Sequence, residues 1–235
     1  MKILEQYYDV EEFDINDVLD SEEDNEAFKK AIYFDLEHYV YKKPICIGVF
    51  GCCYYDSELN KLVSTQYMIE NKNEVHTLLL LARDYFEKMY IQLNKRYIVT
   101  FSGNNDFTVI NYLFKQYGVE FEIKNYFKEI DLQKEFSKIS HSKENIGLKN
   151  LEKLAGIDRK NDVISGVTIA KTFAKIIKDR EYINRVPKDK LTKILNYNLD
   201  DVINLFYIYV KWNKIKRVVL EDKNLENKED FRKDS

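Results

Sequence analysis

The chain is poor in the residues that interrupt or staple a fold. Its 235 residues include only 2 Pro and 7 Gly, which excludes collagen-like repeats and long low-complexity linkers. Three cysteines, two of them adjacent at Cys52 and Cys53, cannot make a disulfide framework and point to a reducing, cytoplasmic setting. No apolar run reaches the roughly 18 residues of a membrane helix; Ile45 to Cys53 falls well short. Met1-Lys2 leads into acidic sequence, so no secretory leader is expected. What remains is ordinary globular material: 45% hydrophobic and 33% charged residues. At about 150 residues per domain, that suffices for one core.

The formal net charge of −3 conceals a division. Residues 1–30 carry 11 acids against 3 bases, residues 31–220 carry 23 against 30, and residues 221–235 carry 6 against 4. An acidic leader (1–30) and a charged tail (221–235), predicted to be disordered, therefore flank a basic body (31–220). The leader spaces Val10, Phe13, Ile15 and Val18 among acids, as in a short amphipathic helix, and Asp20–Asn25 reads as a loop.

The body alternates in type. Strand patterns occupy Ala31–Glu37, Pro44–Tyr55 and Lys61–Ile69, the last two joined by a polar hairpin loop. A helix follows, capped by Asn73 and apolar on one face from Val75 to Leu93. Then come a strand at Tyr97–Ser102, a helix at Asp106–Gln116 stopped by Gly118, and a fifth strand within Phe121–Leu132. Helices close the chain near Leu148–Ala155, Thr168–Ile177 and Pro187–Arg217, with Pro187 suited to a first turn. This β-β-β-α-β-α-β-α order predicts an α/β RNase H-like fold. Its five-stranded mixed sheet, three antiparallel strands followed by parallel ones, is flanked by helices.

Four carboxylates acquire meaning within that order. Asp35 and Glu37 are two apart on a strand and so share a face. The pair makes sense either with a cation between the two like charges, for which oxygen ligands suit Mg²⁺ or Mn²⁺, or as a strand end turning a polar face to water. Asp106 stands at a helix start, as an N-cap or as a third ligand. Asp201 shares a helix face with Tyr197, four residues earlier; its neighbour Asp200 lies about 100° round the helix. Converging, the four carboxylates make a site for two divalent ions.

Phe34-Asp35-Leu36-Glu37, the Asp106 segment and Tyr197-x-x-x-Asp201 resemble the three motifs of the DEDD 3′–5′ exonucleases, in the variant with Tyr in the third. Gly147–Ile157, with its Leu-Lys-x-Leu-Glu run, and Ile164-Ser165-Gly166 narrow the resemblance to the YprB-like RNase H-like exonuclease family. The resemblance implies a metal-dependent nuclease acting on single-stranded DNA or RNA. Asp35, Glu37, Asp106 and Asp201 would hold two Mg²⁺ or Mn²⁺, and Tyr197 would orient the attacking water. Two departures stand out. His38-Tyr39 replaces the usual Thr pair after the first motif, and Asp106 comes one residue early in the second. They leave two other readings open: a nucleic-acid-binding module without turnover, and an RNase H-type endonuclease. Lys171, Lys175, Lys178, Arg180, Arg185, Lys188, Lys190 and Lys193 form either the backbone-binding side of a groove or a solvated face. The sequence is silent on oligomeric state.

Overall fold

Alternation along one strand organises the molecule. A computed structural model describes residues 1–20, 24, 26–140, 146–159 and 164–221. In it β2 (Ala31–Tyr41) pairs antiparallel with β3 (Lys43–Asp56) on one side and parallel with β5 (Tyr97–Thr100) on the other. Ile32, Phe34 and Leu36 enter one buried cluster; Ala31 and Tyr33 enter a second. A period of two puts these sets on opposite faces of the sheet. Each fully buried large side chain contributes roughly 1.5–3 kcal/mol, so the register of β2 is strongly fixed. Asp35 and Glu37 continue the parity of Ala31 and Tyr33.

The first cluster gathers α1 (Val75–Ile91), α2 (Asn104–Tyr117) and α5 (Gly166–Lys178) through Leu78, Phe86, Ile110, Leu113, Ile169 and Phe173. The second takes Val202, Leu205, Phe206 and Tyr209 from the later turns of α6 (Lys188–Val210). The early turns of α6, with Leu191, Ile194 and Leu195, belong to the first. The helix therefore joins both clusters, and Tyr197–Asp201 lies where its apolar face changes partner.

The α/β class and the element order agree with expectation, but the sheet has six strands in the order β1-β4-β3-β2-β5-β6. The additional strand is β1 (Lys2–Asp9), which pairs antiparallel with β4 (Lys61–Met68). Its sequence, Lys-Ile-Leu-Glu-Gln-Tyr-Tyr-Asp, lacks strict alternation because apolar Ile3 and Tyr7 stand exposed on the face opposite half-buried Leu4 and Tyr8. The leader then forms a 3₁₀ turn at Ile15–Asp17, not the expected amphipathic helix. It is tied to the end of α6 by Leu19 N–H to the Tyr209 carbonyl at 2.9 Å, and to the helical residues 212–221 by Arg217 to Asp17 at 2.7 Å.

Boundaries shift modestly elsewhere. Asn71, not Asn73, caps the turn leading into α1. The fifth expected strand is β6 (Lys128–Asp131), followed by α3 (Leu132–Ser140), a helix the sequence reading missed. α4 spans Leu148–Leu154. The long terminal helix breaks at Lys211. Gly118 ends α2 with φ of 66°, a left-handed cap that glycine adopts without steric cost. The expected tail begins at Glu221, which is still helical; the rest of it, and most of the loop expected over Asp20–Asn25, lie outside the described residues. Among the described residues no helix is long and apolar enough to cross a membrane.

Candidate metal centre

Asp35 and Glu37 reach the site from β2. Opposite them β3 carries Gly51 and Val49, and the register skips Gly48 between Glu37 and His38. Such a bulge bends the strand and re-aims its side chains, a common device beside active sites. Gly48 is required there: a Cβ would lie 2.2 Å from the ring of Phe173 on α5.

Asp201 comes from α6. One oxygen from each of Asp35, Glu37 and Asp201 lies within 4.8 Å of the other two. At that separation, and at an effective dielectric near 20, each like-charged pair costs about 3 kcal/mol. Burial raises the pKa of Asp35, against the opposing effects of the Asn198 hydrogen bond and the Arg159 charge. Burial likewise raises Glu37, and the charges of Asp35, Asp201 and Asp106 push it further. Asp201 is raised by burial and by Asp35, with Arg159 opposing. Fully ionised, the group would therefore carry more negative charge than its surroundings balance. Hard oxygen donors in that arrangement fit Mg²⁺ or Mn²⁺.

Asp106 is placed differently from the other three. It lies in the first turn of α2 and is buried, at 8% exposure, but it is outside the 4.8 Å group. Its Oδ1 is 3.8 Å from His38 Nε2. Burial raises its pKa, followed by the charges of Asp35 and Asp201, so it lies within electrostatic reach of the group. Gly103, just before α2, permits the tight approach of this turn to β5, since a Cβ there would sit 2.4 Å from Thr100 Oγ1. His38 Nε2 meets the Asn105 amide nitrogen at 3.0 Å. Burial lowers the His38 pKa, consistent with a neutral ring.

Tyr197 sits one turn before Asp201. Its ring is 5.1 Å from the Arg159 guanidinium carbon and 5.8 Å from Lys149 Nζ. Burial and the Asp201 charge raise its pKa, against Arg159, so its phenol stays protonated at neutral pH.

Several polar residues at the site escaped the sequence reading. Asn198 donates from Nδ2 to Asp35 Oδ2 at 2.9 Å, and its Oδ1 accepts from Gln66 Nε2 at 2.8 Å. Arg159 donates to both Glu152 and Asp201. Asn198 was legible in principle, lying inside the Tyr-x-x-x-Asp motif. Arg159 was not, since no spacing relates it to Asp201. The three cysteines are buried and free, and Cys46, Cys52 and Cys53 all serve as small strand residues. Lys171, Lys175, Lys178, Arg180, Arg185 and Lys188 are exposed. Arg185 pairs with Asp179 and lies over the Tyr182 ring, as does Lys175.

Comparison with known families gives one match: a model described as the RNase H superfamily covers residues 32–213. No curated protein and no solved structure matches the chain significantly.

Proposed function

We propose that this chain, which belongs to the RNase H superfamily, is a metal-dependent 3′–5′ exonuclease of single-stranded nucleic acid. The observation that carries the reading is the approach of Asp35, Glu37 and Asp201 within 4.8 Å. These three, with Asp106 on the adjoining helix, would hold two Mg²⁺ or Mn²⁺. Bound, such ions supply a nucleophile from water at neutral pH and offset charge on the reacting phosphate.

The chain's own groups then have distinct tasks. Asp35 and Glu37 are fixed by the register of β2, and Asp201 by its helix. Tyr197, protonated, orients the attacking water by hydrogen bonding and does not act as a base. The water oxygen bonds to phosphorus as water loses a proton to solvent, the bond from phosphorus to the 3′ oxygen breaks, that oxygen takes a proton from solvent, and a nucleoside 5′-monophosphate leaves. Single-stranded ends are the partner we infer. The catalytic unit we assign to residues 31–220, with β1 of the leader as an added edge strand. The free thiols fit a cytoplasmic setting.

One observation favours a second reading, a binding module without turnover: Asp106 lies outside the close carboxylate group. A single experiment separates the two. The protein is given 5′-labelled single-stranded DNA and RNA with Mn²⁺ or Mg²⁺, beside Asp35→Asn and Asp201→Asn. A ladder shortening from the 3′ end, absent in both variants and stopped by a 3′ block, is expected. Binding without metal-dependent cleavage overturns the enzyme reading; internal cuts indifferent to the block identify an RNase H-type endonuclease.

A further inference from the structure

Glu152 and Arg159 have no role in the reaction as proposed, yet they are built into its site. Glu152 lies in the Leu-Lys-x-Leu-Glu run on α4, next to fully buried Leu151, and is itself 2% exposed. Its Oε2 accepts from Arg159 Nε at 2.7 Å. Its Oε1 accepts from Arg159 Nη2 at 2.6 Å and from Asn204 Nδ2, on α6, at 2.9 Å. Two parallel bonds to one carboxylate fix the plane of a guanidinium. The same Nη2 donates to Asp201 Oδ1, and the guanidinium rests on the Tyr197 ring at 5.1 Å.

Charge assigns Arg159 its part. A lone cation here would partly neutralise the carboxylate group and stand in for a metal ion. Glu152 offsets part of the Arg159 charge, so the group stays short of positive charge. The pair contributes direction more than neutralisation: it engages one oxygen of Asp201 and borders the ring one helical turn earlier.

We propose that Arg159, held in its plane by Glu152 and Asn204, is a positioning residue that fixes the Asp201 carboxylate and the Tyr197 ring for divalent-metal binding beside Asp35 and Glu37. The proposal rests on the metal-dependent reading above and assigns a role to the Leu-Lys-x-Leu-Glu run that the three motifs leave unexplained.

The test is calorimetric titration of Mn²⁺ alone into the full chain, with the melting temperature of each variant as a control of folding. Arg159→Lys keeps the charge and loses the two-point fork. Glu152→Gln keeps the shape and weakens the anchor. Each is expected to bind Mn²⁺ about 10–100-fold more weakly, the usual effect of losing a group that orients a metal ligand. Affinity within twofold of wild type, or tighter, in folded variants overturns the proposal. Failure of the metal reading is distinct: wild type would then show no saturable Mn²⁺ binding, or Asp35→Asn would bind as well as wild type. Should the variants not fold, wild type supplies the answer through the Arg159 Nη2–H resonance, the group that donates to Asp201. The contact predicts that this proton stays protected when Mg²⁺ saturates the site. Its loss on Mg²⁺ addition would show a mere substitute for metal and overturn the proposal.

Discussion

Asn198 and Asp35 meet at 2.9 Å because Gly51 leaves them room. Gly51 lies opposite Asp35 in the β2–β3 register, and a Cβ there would stand 2.1 Å from Asn198 Oδ1. A strand glycine therefore permits α6 to bring an amide against the carboxylate. Gln66 completes the arrangement by donating to Asn198 Oδ1 and to the Leu195 carbonyl at 2.9 Å. The Asn198 amide is thereby oriented with its nitrogen toward Asp35.

Gly51→Ala is expected to displace Asn198 and destabilise the protein by about 1–3 kcal/mol, the usual cost of overpacking. Asn198→Ala leaves Gln66 without that partner and is expected to weaken Mn²⁺ binding about tenfold or more. Urea denaturation and metal titration of both variants check this. Wild-type Mn²⁺ affinity in Asn198→Ala would show that Asp35 needs no support.

Carboxylates held together for a metal should oppose folding when no metal is present. Glu37→Gln removes a buried carboxyl that has to hold its proton well above the ordinary carboxylate range and is expected to raise the melting temperature in EDTA by several degrees, since about 1 kcal/mol corresponds to 2–4 °C in a chain of this size. The same change should reduce metal-dependent cleavage by about 100-fold or more. Scanning calorimetry in EDTA and a nuclease assay are the measurements; a lower melting temperature in EDTA would contradict the repulsion.

The pH dependence of the metal-free protein follows from the same group. Asp35 is raised to about 6 and Glu37 to about 10, above their ordinary carboxylate values. An acid with a raised pKa in the folded state keeps its proton longer there than in the unfolded chain. Stability then falls as pH rises above the ordinary carboxylate range, until the folded group has ionised. In EDTA the melting temperature should therefore decline between pH 5 and about pH 9, and saturating Mg²⁺ should reduce that decline. Differential scanning fluorimetry across this range checks it, with Asp35→Asn/Glu37→Gln as the variant that flattens the slope. A flat or rising curve for wild type in EDTA would be inconsistent with buried, raised carboxyls.

The bulge at Gly48 links the site to α5. With a Cβ only 2.2 Å from the Phe173 ring, Gly48→Ala must move either the strand or the helix. A loss of about 2–4 kcal/mol is expected, in the range of severe core changes. Phe173→Ala in the Gly48→Ala background should recover part of it, because the clash is with the ring. Denaturant midpoints of the two single variants and the double variant decide, and strictly additive losses would exclude a direct clash.

The sequence by itself determined most strands and helices of the body and the carboxylate pairing on β2, because these depend on local periodicity. A period of two places Asp35 with Glu37, and a helical turn places Tyr197 with Asp201, whatever surrounds them. Edge strand β1 escaped notice because Ile3 and Tyr7 put apolar residues on its exposed face as well, which blurs its alternation. Tertiary structure alone decided the rest. Asp106 lies outside the close group because its place depends on how α2 leaves β5, at Gly103 against Thr100. Gln66 and Asn198 lie 132 residues apart and Arg159 and Asp201 lie 42 apart, and these partnerships exist only once α4 and α6 pack against the sheet. Burial and neighbouring charge turn those distant side chains into partners, and neither has a sequence period.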